Sequence, residues 1–313
     1  MSLAPDTFAY VADLVRQRSA ISLEAGKEYL VESRLAPVAR ERGMDVDAYV
    51  RALRARPTEA ELMGVVEALT TNETSWFRDS APFTALSQHV LPRLRAELGR
   101  LDTLRVWSAA CSTGQEPYSI AMVLDGALEP GTAVQITATD LSEQVLTRAR
   151  AGTYSQLEVN RGLPAPMLVR HFQRTGAHWQ VSDGLRKVIT FRRHNLLDPA
   201  PSGGPYDVVF LRNVLIYFDL PVKRAVLDRV LRAMRPGGYL VLGAAETTLG
   251  VHDGFERVEA GRACLHRAVG RPLLGAPADG ARRLAGVVPH PLSAADRSRT
   301  AVPAIATSRG VAP

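Results

Sequence analysis

A chain of 313 residues, 46% hydrophobic and 22% charged, is long enough to bury one large core or two smaller ones. No apolar run approaches the roughly 20 residues of a membrane span, and the start lacks the basic-then-apolar pattern of a secretion signal, so membrane insertion is not expected. The net charge of +6 invites a nucleic-acid reading, but six arginines against Asp279 and Asp296 lie beyond Gly270; the basicity belongs to a tail rather than a folded groove, and no nucleic-acid partner is expected.

Residues 1–76 read as an all-helical domain. Phe8, Val11, Leu14 and Val15 recur at helical spacing, as do Leu30, Val31, Leu35 and Val38, and a third set, Leu62, Val65, Val66 and Leu69, follows Pro57. Residues 77–270 change to strand-helix units. The pattern predicts strands over 104–109, 134–139, 187–193, 206–212 and 238–243, and helices over 82–98, 116–127, 142–151 and 219–234. A last pair near 255–258 and 263–268 forms an antiparallel edge. Arg235-Pro236-Gly237-Gly238 reads as a helix stop and turn before the fifth strand. Between about 153 and 187 the rhythm breaks, and Ser182-Asp183-Gly184 between two short alternating segments predicts a small β-hairpin insert. Residues 271–313, rich in Pro, Ala and Arg, are expected to be a disordered tail, unable to bury enough apolar area to offset chain entropy. The two cysteines, Cys111 and Cys264, supply no disulfide framework and point to a cytoplasmic setting.

The chemistry gathers at strand ends. The strand through Val106-Trp107 runs into small residues, a single glycine at Gly114, and a helix start at Glu116-Pro117-Tyr118. Small residues there let backbone approach a ligand closely, and proline suits the first helical turn. Some 26 positions beyond Gly114, Asp140 closes the second strand, where α/β folds grip ribose hydroxyls. The pair points to an adenosine-type cofactor. The G-x-G-x-x-G fingerprint and the Walker pattern are absent, and a loop with one glycine and Glu116 cradles a pyrophosphate poorly. It suits a phosphate-free ligand with a cationic end, such as S-adenosylmethionine. Thr71–Asp79, Arg193–Leu197 and Leu211–Phe218 bring further polar residues to a domain junction and two more strand ends, all aimed at one crevice. Singly, these residues have ordinary readings: Asp140 as a helix N-cap, Asn72 and Thr74 as caps of a junction helix, Tyr217 as core. Cys111 reads as a small buried thiol, Trp107 and Trp179 as packing residues, and no histidine shows metal-ligand spacing, so no metal is expected.

In this order and spacing, TNETSWFRD, AACSTGQEPYS, ATD and RNVLIYF resemble the chemotaxis receptor methyltransferase family (CheR), over about residues 5–268. The resemblance implies an α/β fold, a Rossmann-like S-adenosylmethionine-dependent methyltransferase sheet with a small β insert after an all-helical N-terminal domain. It implies a cytoplasmic monomer that methylates glutamate side chains on chemoreceptor cytoplasmic helices, forming glutamyl methyl esters and S-adenosylhomocysteine. The cofactor contacts it carries over are Asn72, Thr74, Arg78, Glu116, Asp140, Asn195, Leu196, Arg212 and Asn213; Tyr217 lies beside the methyl group and, with Arg78, forms the catalytic pair.

In physical terms, Asp140 would accept bonds from the ribose hydroxyls, Glu116 would face the cationic methionine end, Asn195 would meet the adenine edge and Leu196 its face. Residues 1–75 carry nine basic against twelve acidic groups, and Pro37 with nearby alanines thins the charge from Lys27, Arg34, Arg40 and Arg42. With a short insert as well, direct docking is expected rather than tethered recruitment to a receptor. A methyltransferase for nucleic acid or small molecules is disfavoured by the missing Asp/Asn-Pro-Pro-Tyr/Phe motif. A cofactor-binding adaptor without turnover is disfavoured by the presence of Arg78, Tyr217, Glu116 and Asp140 together.

Overall fold

The computed structural model describes residues 3–269, and its chain opens with four helices that bury their apolar stripes mainly against one another. These are α1 (Pro5–Ser19), α2 (Glu28–Glu41), α3 (Val46–Ala55) and α4 (Glu59–Leu69). Val11, Val31, Leu35, Val50 and Val66 are fully buried at their centre. Asp45 accepts the Ala48 N–H at 2.7 Å and Thr58 accepts the Glu61 N–H at 3.3 Å, so both later helices start on side-chain caps. The sequence showed three apolar sets here; α3, with Val46, Tyr49, Val50 and Leu53 buried in only ten residues, is the helix they miss.

A long helical run follows, built from α5 (Ala81–Ala85), a π-helical turn (Leu86–Val90) and α6 (Leu91–Leu98). The turn widens just ahead of Pro92, which has no N–H to donate to the preceding ladder. The α/β alternation then runs β1 (Thr103–Ala109), α7 (Gln115–Ala127), β2 (Ala133–Asp140) and α8 (Glu143–Ala151). The insert contains β3 (Thr153–Ser155), α9 (Gln156–Val159), α10 (Ala165–His171), β4 (Phe172–Thr175), β5 (His178–Val181) and α11 (Asp183–Lys187). After it come β6 (Ile189–Arg193), β7 (Tyr206–Leu211), α12 (Leu220–Ala233), β8 (Met234–Leu242), β9 (Phe255–Ala260) and β10 (Ala263–Ala268).

The main sheet has seven strands in the order β6-β2-β1-β7-β8-β10-β9. The first five are parallel, while β10 runs antiparallel to both neighbours. Helices cover both faces, so central strands are apolar throughout; all six residues of β7 are buried. Strand order reverses between β1 and β7. The chain leaves these two strand ends in opposite directions and opens a crevice between them.

Two local expectations are corrected. Arg235–Gly238 is not a turn before the fifth strand but part of β8, whose register against β7 shifts between the Tyr206–Met234 and Val208–Tyr239 pairs. A bulge is where a strand tolerates Pro236, which has no ladder N–H, and Gly237, at φ 78°. The insert is a three-stranded sheet, β3-β5-β4, rather than a lone hairpin. Its tight turn lies at Gly176, between β4 and β5, and Asp183-Gly184 opens α11 instead. The expected tail, residues 271–313, lies outside the described residues. Among those residues, no helix is long and apolar enough to cross a membrane.

Gly114, at φ 96°, is required where β1 hands over to α7. A Cβ there would stand 2.9 Å from the Tyr154 hydroxyl and 3.0 Å from Ala149 Cβ, and that hydroxyl is held in place by donating to the Thr113 carbonyl at 2.7 Å. Gly114→Ala should therefore lower the unfolding free energy by about 1–3 kcal/mol in a urea titration. A loss below about 0.5 kcal/mol would show that the loop yields without strain.

Candidate active site

The ten side chains singled out from the sequence, Asn72, Thr74, Arg78, Glu116, Asp140, Asn195, Leu196, Arg212, Asn213 and Tyr217, all line one cleft at the carboxyl ends of β1, β2, β6 and β7. The backbone around it is unusual. Six described non-glycine residues have positive φ, and five belong to the cleft's own segments: Phe77 and Asp79 in the junction, Ala110 and Ser112 after β1, and Asn213 after β7. The sixth, Ala20, sits between Ser19 and Ile21, which also line the cleft. Such conformations cost energy and persist where tertiary contacts enforce them, often at ligand sites.

Asp140 is buried at the tip of β2. One carboxylate oxygen accepts the Ser112 N–H at 2.8 Å and the other accepts the Ser142 N–H at 3.0 Å. It is not the cap of α8; Ser142 fills that place. The Leu141 N–H also lies against the carboxylate, and the remaining acceptor capacity faces the cleft. Burial pushes its pKa up, and the N–H groups of Ser142 and Ser112 work against that rise. Ser112 also donates from its hydroxyl to the Asn72 carbonyl at 2.7 Å, tying the β1 loop to the junction. No helix exists there for Asn72 or Thr74 to cap; the Asn72 amide donates to the Thr70 hydroxyl at 3.1 Å.

Arg212, at the end of β7, has a side chain only 2% exposed. It donates to Glu116 at 3.1 Å, to Asp79 at 2.8 Å and to the Arg78 carbonyl at 2.8 Å, and its guanidinium lies 5.7 Å from the Phe83 ring centre. Glu116 takes a second bond from the Ser108 hydroxyl at 2.8 Å. Burial raises the Glu116 pKa, and the Arg212 charge opposes the rise. Arg212 is thus spent largely on protein partners, and it aims Glu116 along the cleft floor. Cys111 is buried beside these carboxylates, with its thiol pushed well above the ordinary value first by burial and then by Asp140 and Glu116; this fits an inert packing role.

The far wall comes partly from the helical domain. Asn195 donates to the Arg18 carbonyl at the end of α1 at 2.7 Å and accepts the Leu197 N–H at 3.1 Å, leaving one amide hydrogen and one acceptor position. Ser22 donates its N–H to the Tyr217 carbonyl at 3.3 Å. Tyr217 is half-buried in a short 3-10 turn, Leu215–Tyr217, beside exposed Ile216. His194 donates its N–H to the Asp140 carbonyl at 2.8 Å, packs edge-on to Trp107, and has its pKa lowered by burial. Among the described residues, no group of three or more His, Cys, Asp or Glu is arranged to hold a metal.

Four participants escaped the sequence reading. Ser19 and Ile21 reach the cleft from a helix end far away in the chain, and no local motif marks them. Asp79 stood in the junction motif but its partnership with Arg212 spans 133 positions. Glu246, in a polar loop after β8, holds the Asn213 segment by backbone contacts alone.

Breaking a buried ion pair by removing one partner is costly. Arg212→Met should lower the unfolding free energy by about 3–5 kcal/mol, read by urea denaturation, because Glu116 keeps its burial and loses its counter-charge. A loss under about 1 kcal/mol would mean that Glu116 regains water when Arg212 is removed.

Residues 72–264 match the family model described as CheR methyltransferase, SAM binding domain, and residues 6–70 match CheR methyltransferase, all-alpha domain. The chain is 42% identical over 277 residues to chemotaxis protein methyltransferase 1 of Pseudomonas aeruginosa, covering 86% of this chain and 100% of that protein. It is 42% identical over 258 residues to chemotaxis protein methyltransferase Cher2 of Pseudomonas putida, with 79% and 92% covered. A chemotaxis protein methyltransferase of Vibrio parahaemolyticus is 39% identical over 253 residues, with 79% and 91% covered. With the helical and the sheet regions both matched, in this order, the chain belongs to the CheR methyltransferase family.

Proposed function

We propose that this protein uses S-adenosylmethionine to methylate glutamate side chains on the cytoplasmic helices of chemoreceptors, forming glutamyl methyl esters. The observation that carries the reading is one cleft whose lining holds buried Asp140 and largely buried Glu116 together with Arg78 and Tyr217, in a chain of this family.

The cleft's donors and acceptors fit that cofactor. Asp140 keeps acceptor capacity beyond its backbone partners for the hydroxyls of a vicinal ribose diol. Glu116, desolvated but held by Ser108 and Arg212, offers a carboxylate to the ammonium of the methionine end. Asn195 retains one amide hydrogen for the adenine edge, and Leu196 offers an apolar face beside it. When bound, S-adenosylmethionine supplies an electrophilic methyl group on its sulfonium and leaves as S-adenosylhomocysteine.

A glutamate side chain is already ionised at neutral pH, so the protein needs no general base. Its residues position the reacting groups and exclude water. Arg78 spends one nitrogen on the Glu73 carbonyl, at 3.1 Å, and keeps other donors to orient the acceptor carboxylate. Tyr217 would place its hydroxyl at the same end. Holding the carboxylate too tightly would stabilise the ground state as much as the transition state, so their contribution is alignment.

Purified protein, labelled methyl donor and receptor-bearing membranes should give base-labile methyl on a receptor-sized band. Cofactor binding with no ester formed would support an adaptor instead. Asp140→Ala should weaken cofactor binding by about 1–3 kcal/mol in calorimetry, and an unchanged dissociation constant for the folded variant would remove Asp140 from the site. Tyr217→Phe should slow methyl transfer and spare cofactor affinity.

Acidity supplies a further check. Burial raises both Asp140 and Glu116, so cofactor affinity should fall on acidification at a higher pH than ordinary carboxylates would dictate. The stability linkage has the opposite sign. Between the ordinary and the raised values the folded state binds more protons than the unfolded one, so these two groups stabilise the cofactor-free fold as pH falls through that window. Dissociation constants and melting temperatures measured across acidic pH test both signs; affinity that stays flat into the ordinary carboxylate range would overturn the assignment.

A further inference from the structure

The loop after β8 carries a carboxylate whose partners are all backbone. Glu246 accepts N–H groups from Asn213 at 2.8 Å and Gly243 at 2.7 Å on one oxygen, and from Val214 at 2.8 Å and Leu215 at 2.7 Å on the other. Three of these four donors are consecutive residues leaving β7, and they lead directly into the turn that ends at Tyr217. The arrangement is tight. A Cβ on Gly243 would lie 2.7 Å from a Glu246 carboxylate oxygen and from the Asn213 side-chain nitrogen Nδ2, and 2.9 Å from the Asn213 backbone nitrogen, so glycine suits this approach. Asn213 itself is held at φ 57°, a conformation that needs an external constraint.

Tyr217 depends on that path. Its ring packs on the core beneath α12, but its hydroxyl has no hydrogen-bond partner among the described residues. Where the hydroxyl stands is therefore set by the backbone that delivers it, and Glu246 is what ties this backbone to the end of β8. A carboxylate is the group suited to the task, because both its oxygens accept and each can take two donors. Glutamine would turn its NH2 group toward two of the N–H groups. Aspartate is one methylene too short to serve both pairs from the same place.

We propose that Glu246 is a positioning residue for the methyl transfer, setting the placement of Tyr217 through the Asn213–Leu215 backbone. The proposal rests on the reading of Tyr217 as the group that aligns the acceptor carboxylate, and its test separates the two.

The experiment is single-turnover transfer from labelled S-adenosylmethionine to receptor fragments bearing the acceptor glutamates, run with the full chain beside cofactor titrations. Glu246→Gln should slow transfer by about 10- to 100-fold, the scale of a misplacement near 1 Å, and weaken cofactor binding by clearly less than that factor, since Asn213 lies on the same path. In a Tyr217→Phe background the same change should cost less than about threefold, because the hydroxyl it positions is gone. Glu246→Asp should lie between wild type and Glu246→Gln, and it replaces Glu246→Gln if that variant does not fold. A slow Tyr217→Phe beside a fast Glu246→Gln overturns the Glu246 proposal alone. Losses that multiply in the double variant, or a collapse of cofactor affinity and melting temperature together, assign Glu246 a purely structural role. Tyr217→Phe at the wild-type rate removes the Tyr217 reading and with it this proposal.

Discussion

A guanidinium buried to 2% exposure must be neutralised, and the placing of Arg212 between Glu116 and Asp79 is the constraint on which the cleft depends. Arginine does not shed its proton in a protein, so burying one obliges carboxylates to come to it. Here they come from different segments: Glu116 from the start of α7 and Asp79 from the junction, with the Arg78 carbonyl as a third acceptor. One side chain thereby locks the end of β7, the first turn of α7 and the interdomain junction together. Arg78 and Glu116 inherit their positions from that lock. The same pairing keeps a desolvated carboxylate poised to meet a cation, which water would otherwise screen.

The helical domain forms part of the cleft wall. Arg34 donates to the Thr70 carbonyl at 2.9 Å, Ser142 donates to Glu67 at 2.9 Å, and Asn195 reaches the Arg18 carbonyl. These polar ties join the end of α4 to its surroundings and the helical domain to the ends of β2 and β6, while Leu141 packs on the helical core. They place Ser19 and Ile21 in the same cleft lining as the strand ends. The insert forms its own small sheet, β3-β5-β4, yet it also braces the junction: Trp76 donates its N–H to the Arg161 carbonyl at 3.1 Å, and the Tyr154 hydroxyl donates to the Thr113 carbonyl at 2.7 Å.

Charge and strain are concentrated in the same place. Asp140 and Glu116 put two carboxylates in the cleft lining beside Arg212, and Glu246 adds a third close behind, near enough to raise the Glu116 pKa. Each is held by hydrogen bonds, and none of the three is arranged as a nucleophile or base. That suits a reaction in which both partners arrive already activated, one cationic and one ionised, and in which alignment is what the protein adds. The positive-φ residues at Ala110, Ser112 and Asn213 are the conformational cost of bringing backbone and carboxylates close enough to do this.

By itself the sequence determined the strand-helix alternation and the polar strand ends that meet in the crevice, while the ten residues named for the site came from the motifs shared with the CheR family. Strands buried on both faces must be apolar along their whole length, and residues at strand ends follow immediately after those runs, so the signal is local. What only the tertiary structure decided are contacts between distant segments, and backbone choices that such contacts impose. Nothing within α1 marks Ser19 or Ile21 as cleft residues, and nothing near Glu246 announces four backbone donors from two strand ends. Pro236-Gly237 reads as a turn until β7 lies beside it and allows a bulge. Asp183-Gly184 reads as a hairpin turn until β5 pairs with β3 and β4 instead. Local propensity proposes a conformation for a few residues at a time; pairing energy and burial, which involve groups up to 203 positions apart, choose among the proposals.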